Sequence, residues 1–242
     1  MAPRPGIEGA KALLKKPEEE WVLMEKSYRD MLKAKGGEEL VSLQDEYIDK
    51  LISRFAAYKN LGTDDVHPII SKEEFISVMK WKFRKGKDRS NFLMKGLLSN
   101  NEENIQKALH QAIMHLQKYP SDLKGALKIV TTLNKVGPAS ASIFLSMIRP
   151  ELCCFMDDEV MEVLSPSGKR EYTLKSFFAL AGRTQEIAEN LGGNWSPYRV
   201  GRALWTAAMR HIYDRPADIE NDRGDVPTVN IRGGKKRKRA NV

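Results

Sequence analysis

The chain has 242 residues, 41% of them apolar and 30% charged, with a formal net charge of +8. No run of about 18 apolar residues exists to cross a membrane, and MAPRPGIEGAKALLKK lacks an apolar stretch, so no secretory signal is expected. The two cysteines, Cys153 and Cys154, are adjacent, which excludes a disulfide scaffold, a classical zinc finger and an all-cysteine iron–sulfur cluster.

Residues 1–16, with Pro3, Pro5, Gly6 and Gly9, read as unstructured. From Pro17 the pattern turns helical. Leu40, Leu43, Tyr47, Ile48, Leu51, Ile52, Phe55 and Tyr58 recur at three- and four-residue steps, as one buried helix face requires. Ser71 and Glu74 form a capping-box pair ahead of Phe75, Val78 and Met79. A short segment around 92–98 follows, then helices over about 102–117 and 121–133. After a break at 135–138, an apolar helix runs to Met147. Asp157 or Asp158 opens the next, which carries Val160, Val163 and Leu164 and stops at Ser165-Pro166-Ser167-Gly168. Two longer helices span about 174–190 and 197–213. In the last, Val200, Ala203, Leu204, Ala207, Ala208 and Ile212 form one stripe. No strand alternation and no repeat is evident, so the predicted fold is all-α over residues 17–217. From Arg215 charge, Gly and Pro take over, and residues 218–242 read as a disordered tail.

The stretch richest in chemistry is Leu133-Asn134-Lys135-Val136-Gly137-Pro138-Ala139-Ser140-Ala141. An amphipathic helix enters it and an apolar helix leaves it. Pro138 suits the first turn of the outgoing helix, where no amide partner is lost. The amides of Gly137, Ala139 and Ser140 are expected to point outward at a helix N-terminus, an arrangement suited to a phosphate. The competing interpretation is an ordinary helix–loop–helix corner.

This stretch resembles the helix-hairpin-helix motif, usually L-x-G-V-G-x-x-T-A. Nineteen residues after Ala139 stands Asp158, within Phe155-Met156-Asp157-Asp158-Glu159-Val160. Further on come Trp195-Ser196-Pro197-Tyr198-Arg199 and Ala203-Leu204-Trp205. In this order they resemble the helix-hairpin-helix DNA glycosylase superfamily, over about residues 121–213. There the hairpin and an apolar helix precede a catalytic aspartate at a helix start, and a W-x-P-x-R turn opens a late helix. The resemblance implies a helical bundle that binds double-stranded DNA, with Asp158 catalytic and Lys135, Gly137, Ala139 and Ser140 at the DNA.

The chemistry fits. Breaking an N-glycosidic bond builds positive charge on the deoxyribose, which a carboxylate stabilises. A helix N-terminus favours an anion by roughly 0.3–1 kcal/mol. The alternative is that Asp157 and Asp158 only cap a helix. The chain departs from the pattern twice. Ala139 stands where bifunctional members carry a Schiff-base lysine, which implies base release by hydrolysis alone. Lys135 replaces the first hairpin glycine, where a positive φ would cost on the order of 1 kcal/mol.

A second basic cluster is Lys80-Trp81-Lys82-Phe83-Arg84-Lys85-Gly86-Lys87-Asp88-Arg89. Its interleaved aromatics and cations suit a nucleic-acid backbone, with Lys82, Arg84, Lys85 and Lys87 as contacts. Alternatively, Trp81 and Phe83 are core and the lysines are solvated. His67, His110, His115 and His211 form no zinc pair and read as structural or surface residues. Lys235, Lys236, Arg237, Lys238 and Arg239 carry five net positive charges. That run is a nuclear localisation pattern, or else a tail that binds polyanions without specificity.

The reading is therefore a nuclear, monomeric DNA-binding protein without cofactor or metal, off the membrane. It either acts as a monofunctional glycosylase in base excision repair or is an inactive DNA-binding module. A helical interaction protein with an import tail is the third possibility.

Overall fold

The computed structural model describes residues 6–61, 69–165 and 168–214, and these residues form helices and connecting turns without a strand. The helices in chain order are α1 (Ile7–Leu13), α2 (Glu18–Lys26), α3 (Tyr28–Leu43), α4 (Lys50–Leu61), α5 (Lys72–Lys85), α6 (Ser90–Leu98), α7 (Glu102–Lys118), α8 (Leu123–Val130), α9 (Pro138–Ile148), α10 (Asp158–Leu164), α11 (Leu174–Leu191) and α12 (Pro197–Tyr213). A π-helical segment, Gln44–Asp49, joins α3 to α4.

The helix starts follow local chemistry. Ser71 and Glu74 make the capping box reciprocally at the head of α5. Asn101, Asp122, Thr173 and Ser196 cap α7, α8, α11 and α12 with side-chain oxygens, each satisfying an amide that the first turn leaves unpaired. Pro138 and Pro197 occupy first-turn positions, where proline's missing N–H costs nothing.

At the centre lies α9, buried at every position from Ala139 to Ile148. A helix of apolar and small residues that is buried all round requires others to surround it. Helices α4, α8 and α11 pack against α9, and Phe144 stacks on Phe75 of α5 with centroids 5.6 Å apart. The expected stripe of α12 is realised too: Val200, Ala203, Leu204, Ala207 and Ala208 are buried. The long periodic face from Leu40 to Tyr58 crosses α3, the π-helical segment and α4 rather than one regular helix. Gln44 of the π-helical segment is buried. It accepts from the Tyr28 hydroxyl at 3.1 Å and from Trp81 Nε1 at 3.0 Å.

One expectation is corrected. Residues 1–16 were expected to be unstructured, yet Ile7–Leu13 is helical, with Ile7, Ala10 and Leu13 buried against α12. Gly9 acts here as a contact residue instead of a helix breaker. A Cβ at Gly9 would come within 2.5 Å of His211 Cβ and 2.7 Å of the Ala207 carbonyl, so glycine is what lets α1 lie so close.

Candidate functional site

The turn between α8 and α9 is held from below. Leu133 and Val136 are buried, while Asn134, Lys135 and Gly137 are exposed. The buried Asn100 side chain, at the end of α6, clasps Asn134: Oδ1 accepts its amide at 2.8 Å and Nδ2 donates to its carbonyl at 3.0 Å. Lys135 has φ 60°, the left-handed conformation for which glycine is better suited. Its aliphatic stem lies on Gly96, where an added Cβ would come within 2.3 Å of Lys135 Cγ. The expected row of outward amides is only partly realised. The Ser140 amide turns back to the Gly137 carbonyl at 3.0 Å, because Ser140 already lies inside the first turn of α9.

Asp158 is the first residue of α10. Its carboxylate lines a narrow cleft together with Lys82, Gly86, Lys87, Arg89, Ala139, Phe155, Met156, Asp157 and Tyr172. Hairpin and aspartate, separated by an apolar helix in sequence, therefore share one opening. Arg170 Nη1 lies 2.7 Å from Asp158 Oδ2, while its Nε bonds Glu162 Oε2 at 2.8 Å. The Tyr172 hydroxyl donates to Asp158 Oδ1, and the Arg89 guanidinium sits over the Tyr172 ring, 4.9 Å from its centroid. Burial, then the bond to Asp158, push the Tyr172 hydroxyl up to about 12.

Lys82 reaches the same cleft from α5, where its Nζ donates to Ser140 Oγ at 3.1 Å. Burial, then the neighbouring Arg89 charge, bring its ammonium down to about 8, against a pull from Asp158. The open volume is about 30 Å³, whereas sites for drug-sized ligands run to roughly 300 Å³ or more.

Behind the cleft, and sharing Phe155 and Asp157 with it, is a cavity of about 20 Å³. Here the structure overturns one expected DNA contact. Lys85 is buried and paired with Asp157, the two side chains being 2% and 6% exposed. Its Nζ lies 4.0 Å from the Trp205 ring centroid, 5.4 Å from that of Trp81 and 5.7 Å from that of Phe155. Burial drives both members of the pair towards neutrality, Lys85 downward and Asp157 upward, and their mutual attraction opposes it. Asp157 therefore does not cap α10 with its side chain. Its Oδ1, Arg202 Nε and Trp205 Nε1 are buried without a hydrogen-bond partner among the described residues.

The remaining candidates separate. Arg84 faces α3, its guanidinium 2.5 Å from Glu39, and does not line the cleft. Lys87 does. In the α5 cluster Trp81 and Phe83 are core, while Lys82 and Lys87 line the cleft. His110 bonds the Tyr58 hydroxyl at 2.9 Å and His115 bonds Asp122 at 2.8 Å, which are structural roles. The basic run 235–239 lies outside the described residues.

No sequence pattern marks Arg170, Tyr172 or the Asn100 clasp. Arg170 and Tyr172 follow the turn after α10 in a stretch without periodicity, and Asn100 reads as an ordinary helix terminator. Comparison with protein-family models, with curated proteins and with solved structures finds no match.

Proposed function

We propose that the protein binds double-stranded DNA through the 131–137 turn and the cations of the adjoining cleft, and that it hydrolyses the N-glycosidic bond of a damaged or mispaired base. The observation that carries this reading is the shared cleft: Asp158, Ala139 of the hairpin and the cations Lys82, Lys87 and Arg89 line one opening. Lys135 and the cleft cations hold backbone phosphates, a contact that positions DNA without reading its sequence. As the base departs, positive charge develops on the deoxyribose, and the Asp158 carboxylate stabilises it. Arg170 and Tyr172 hold that carboxylate in place. Ala139 carries no amine, so the hairpin supplies no Schiff-base nucleophile, and in this reading water takes the sugar carbon as the base leaves. A base must leave the duplex stack to enter such a site, and the cleft must widen to admit it.

A second reading, a DNA-binding module without catalysis, is favoured by a specific observation. Both Asp158 oxygens are engaged, by Arg170 and by Tyr172, and the cleft is far smaller than a nucleobase. The test is a panel of duplex oligonucleotides, each with one lesion, incubated with the full chain and then treated with hot alkali. Alkali-dependent cleavage that Asp158→Asn abolishes supports hydrolysis. Duplex binding without cleavage on any lesion supports the module. We also propose that the basic run 235–239 directs the protein to the nucleus; removal of residues 218–242 should abolish nuclear enrichment of a fluorescent fusion.

A further inference from the structure

A groove of about 320 Å³ opens between the end of α10 and the start of α11, far larger than the Asp158 cleft. Its floor is apolar: buried Met161, Leu164 and Leu180 line it, with exposed Ala179 beside them. Its rim is charged, and Lys169, Glu171 and Lys175 are all exposed there. The two lysines form no ion pair among the described residues. Glu162, the neighbouring carboxylate of α10, is engaged by Arg170 Nε at 2.8 Å. Two ammonium groups against the Glu171 carboxylate leave the rim with a net positive charge. The other openings of similar size are balanced. Between α1, α2 and α12, Lys16 and Arg210 face Glu20 and Asp214, and between α2 and α11 Lys16 faces Glu18.

Small-molecule sites start at roughly 300 Å³ and combine an apolar lining with a few polar groups that fix orientation. A specific protein interface takes about 800 Å² per partner, whereas here the charged rim confines apolar contact to the floor. The chemistry that fits is a compact apolar body with one anionic group, the body on the floor and the anion at Lys169 and Lys175. The rim is also tied to Asp158. Arg170 and Tyr172 bond the Asp158 carboxylate, while Lys169 and Glu171 line the groove. Such alternation is what an extended chain gives, and the two bonds to Asp158 thereby fix the segment that presents Lys169.

We propose that the α10–α11 groove is a binding site for a small amphipathic anion, and that its affinity depends on the anchoring of residues 169–172 to Asp158. Holding the rim in place before the ligand arrives removes an ordering cost from binding. The site stands apart from the DNA-binding reading and does not rest on it.

The test uses the full-length chain and two probes with similar apolar bodies, anilinonaphthalene sulfonate and the neutral phenylnaphthylamine, followed by fluorescence and calorimetry. The sulfonate should bind at a single site and more tightly than the neutral probe. Ala179→Glu sets a carboxylate into the groove from an exposed helix position and should abolish sulfonate binding, with circular dichroism unchanged. Lys169→Gln combined with Lys175→Gln should weaken the sulfonate about fivefold, as the loss of exposed ion pairs allows, and leave the neutral probe unaffected. Asp158→Asn lies outside the groove and should also weaken the sulfonate, by about fivefold, the low end of coupling between sites. Binding that survives Ala179→Glu would overturn the site. Equal affinity for both probes, or indifference to the lysine pair, would overturn recognition of an anion. Unchanged affinity in Asp158→Asn would overturn the link to Asp158. Self-association that Ala179→Glu removes would assign the groove to a second copy of the chain instead.

Discussion

Two lysines and two aspartates lie close together in this molecule and have opposite characters. Lys85 and Asp157 meet inside the body, among Trp81, Trp205 and Phe155, with almost no exposure. Lys82 and Asp158 line the cleft, where each bonds other partners: Lys82 the neutral Ser140 hydroxyl, Asp158 the Arg170 and Tyr172 side chains. The lysines are three residues apart and the aspartates are neighbours. Chemically identical groups are thus divided between the interior and an opening. An ion pair with little water around it owes its stability to mutual attraction, and losing one member leaves an uncompensated charge. Lys82 and Asp158, at the opening, are only partly buried.

The largest expected effect breaks the inner pair. Lys85→Met should destabilise the protein by about 3–5 kcal/mol in urea unfolding, whereas Lys85→Met combined with Asp157→Leu should recover most of that loss. Lys82→Met should change stability far less. If Lys82→Met is as costly as Lys85→Met, the division between the buried pair and the cleft groups fails.

The next effect concerns the outer aspartate. Asp158→Asn keeps size and removes charge. On a released-base assay the rate should fall by about 100-fold or more, with duplex affinity retained. An unchanged rate would make Asp158 a structural anchor for Arg170.

A smaller effect follows from titration of Lys82. Its ammonium titrates at about 8, so it is charged at pH 7 and largely neutral at pH 9. Duplex affinity should fall as pH rises across that window, and the salt slope should drop by about 0.9, the value of one phosphate contact. Of the other groups lining the cleft, Tyr172, pushed up to about 12, stays protonated across that window, while Asp157, raised to about 7 by burial, completes its ionisation at its lower end. Lys82→Arg should flatten the pH profile. A profile that is unchanged in Lys82→Arg would show that another group titrates.

The smallest expected effect is at the hairpin. Lys135→Gly should relieve the left-handed backbone, by about 1 kcal/mol at most, offset by the loss of stem contact with Gly96. It should weaken binding of all duplex sequences alike, and Lys135→Glu should do so more strongly. Weakening confined to one sequence would mean that Lys135 reads bases.

What the sequence determined by itself is what short-range spacing encodes. The Ser71–Glu74 box, proline at the heads of α9 and α12, the largely apolar α9 and the one-sided stripe of α12 each depend on residues within a turn or two of one another, and each formed as read. The helix start at 157–158 was legible for the same reason. Tertiary structure alone decided which charged groups went inside. Periodicity places Lys82 and Lys85 on adjoining positions of α5, and only the arrival of α10 and α12 from far along the chain buries one against Asp157 and Trp205 while leaving the other at an opening. The same holds for α1. Gly6 and Gly9 argue against a helix when only neighbours are considered, and they become necessary once α12 lies against them. Asn100 and Asn134 are 34 residues apart, so their clasp leaves no periodic trace. A local pattern records what a segment prefers in isolation; burial of a charge is decided by the partner that comes to meet it.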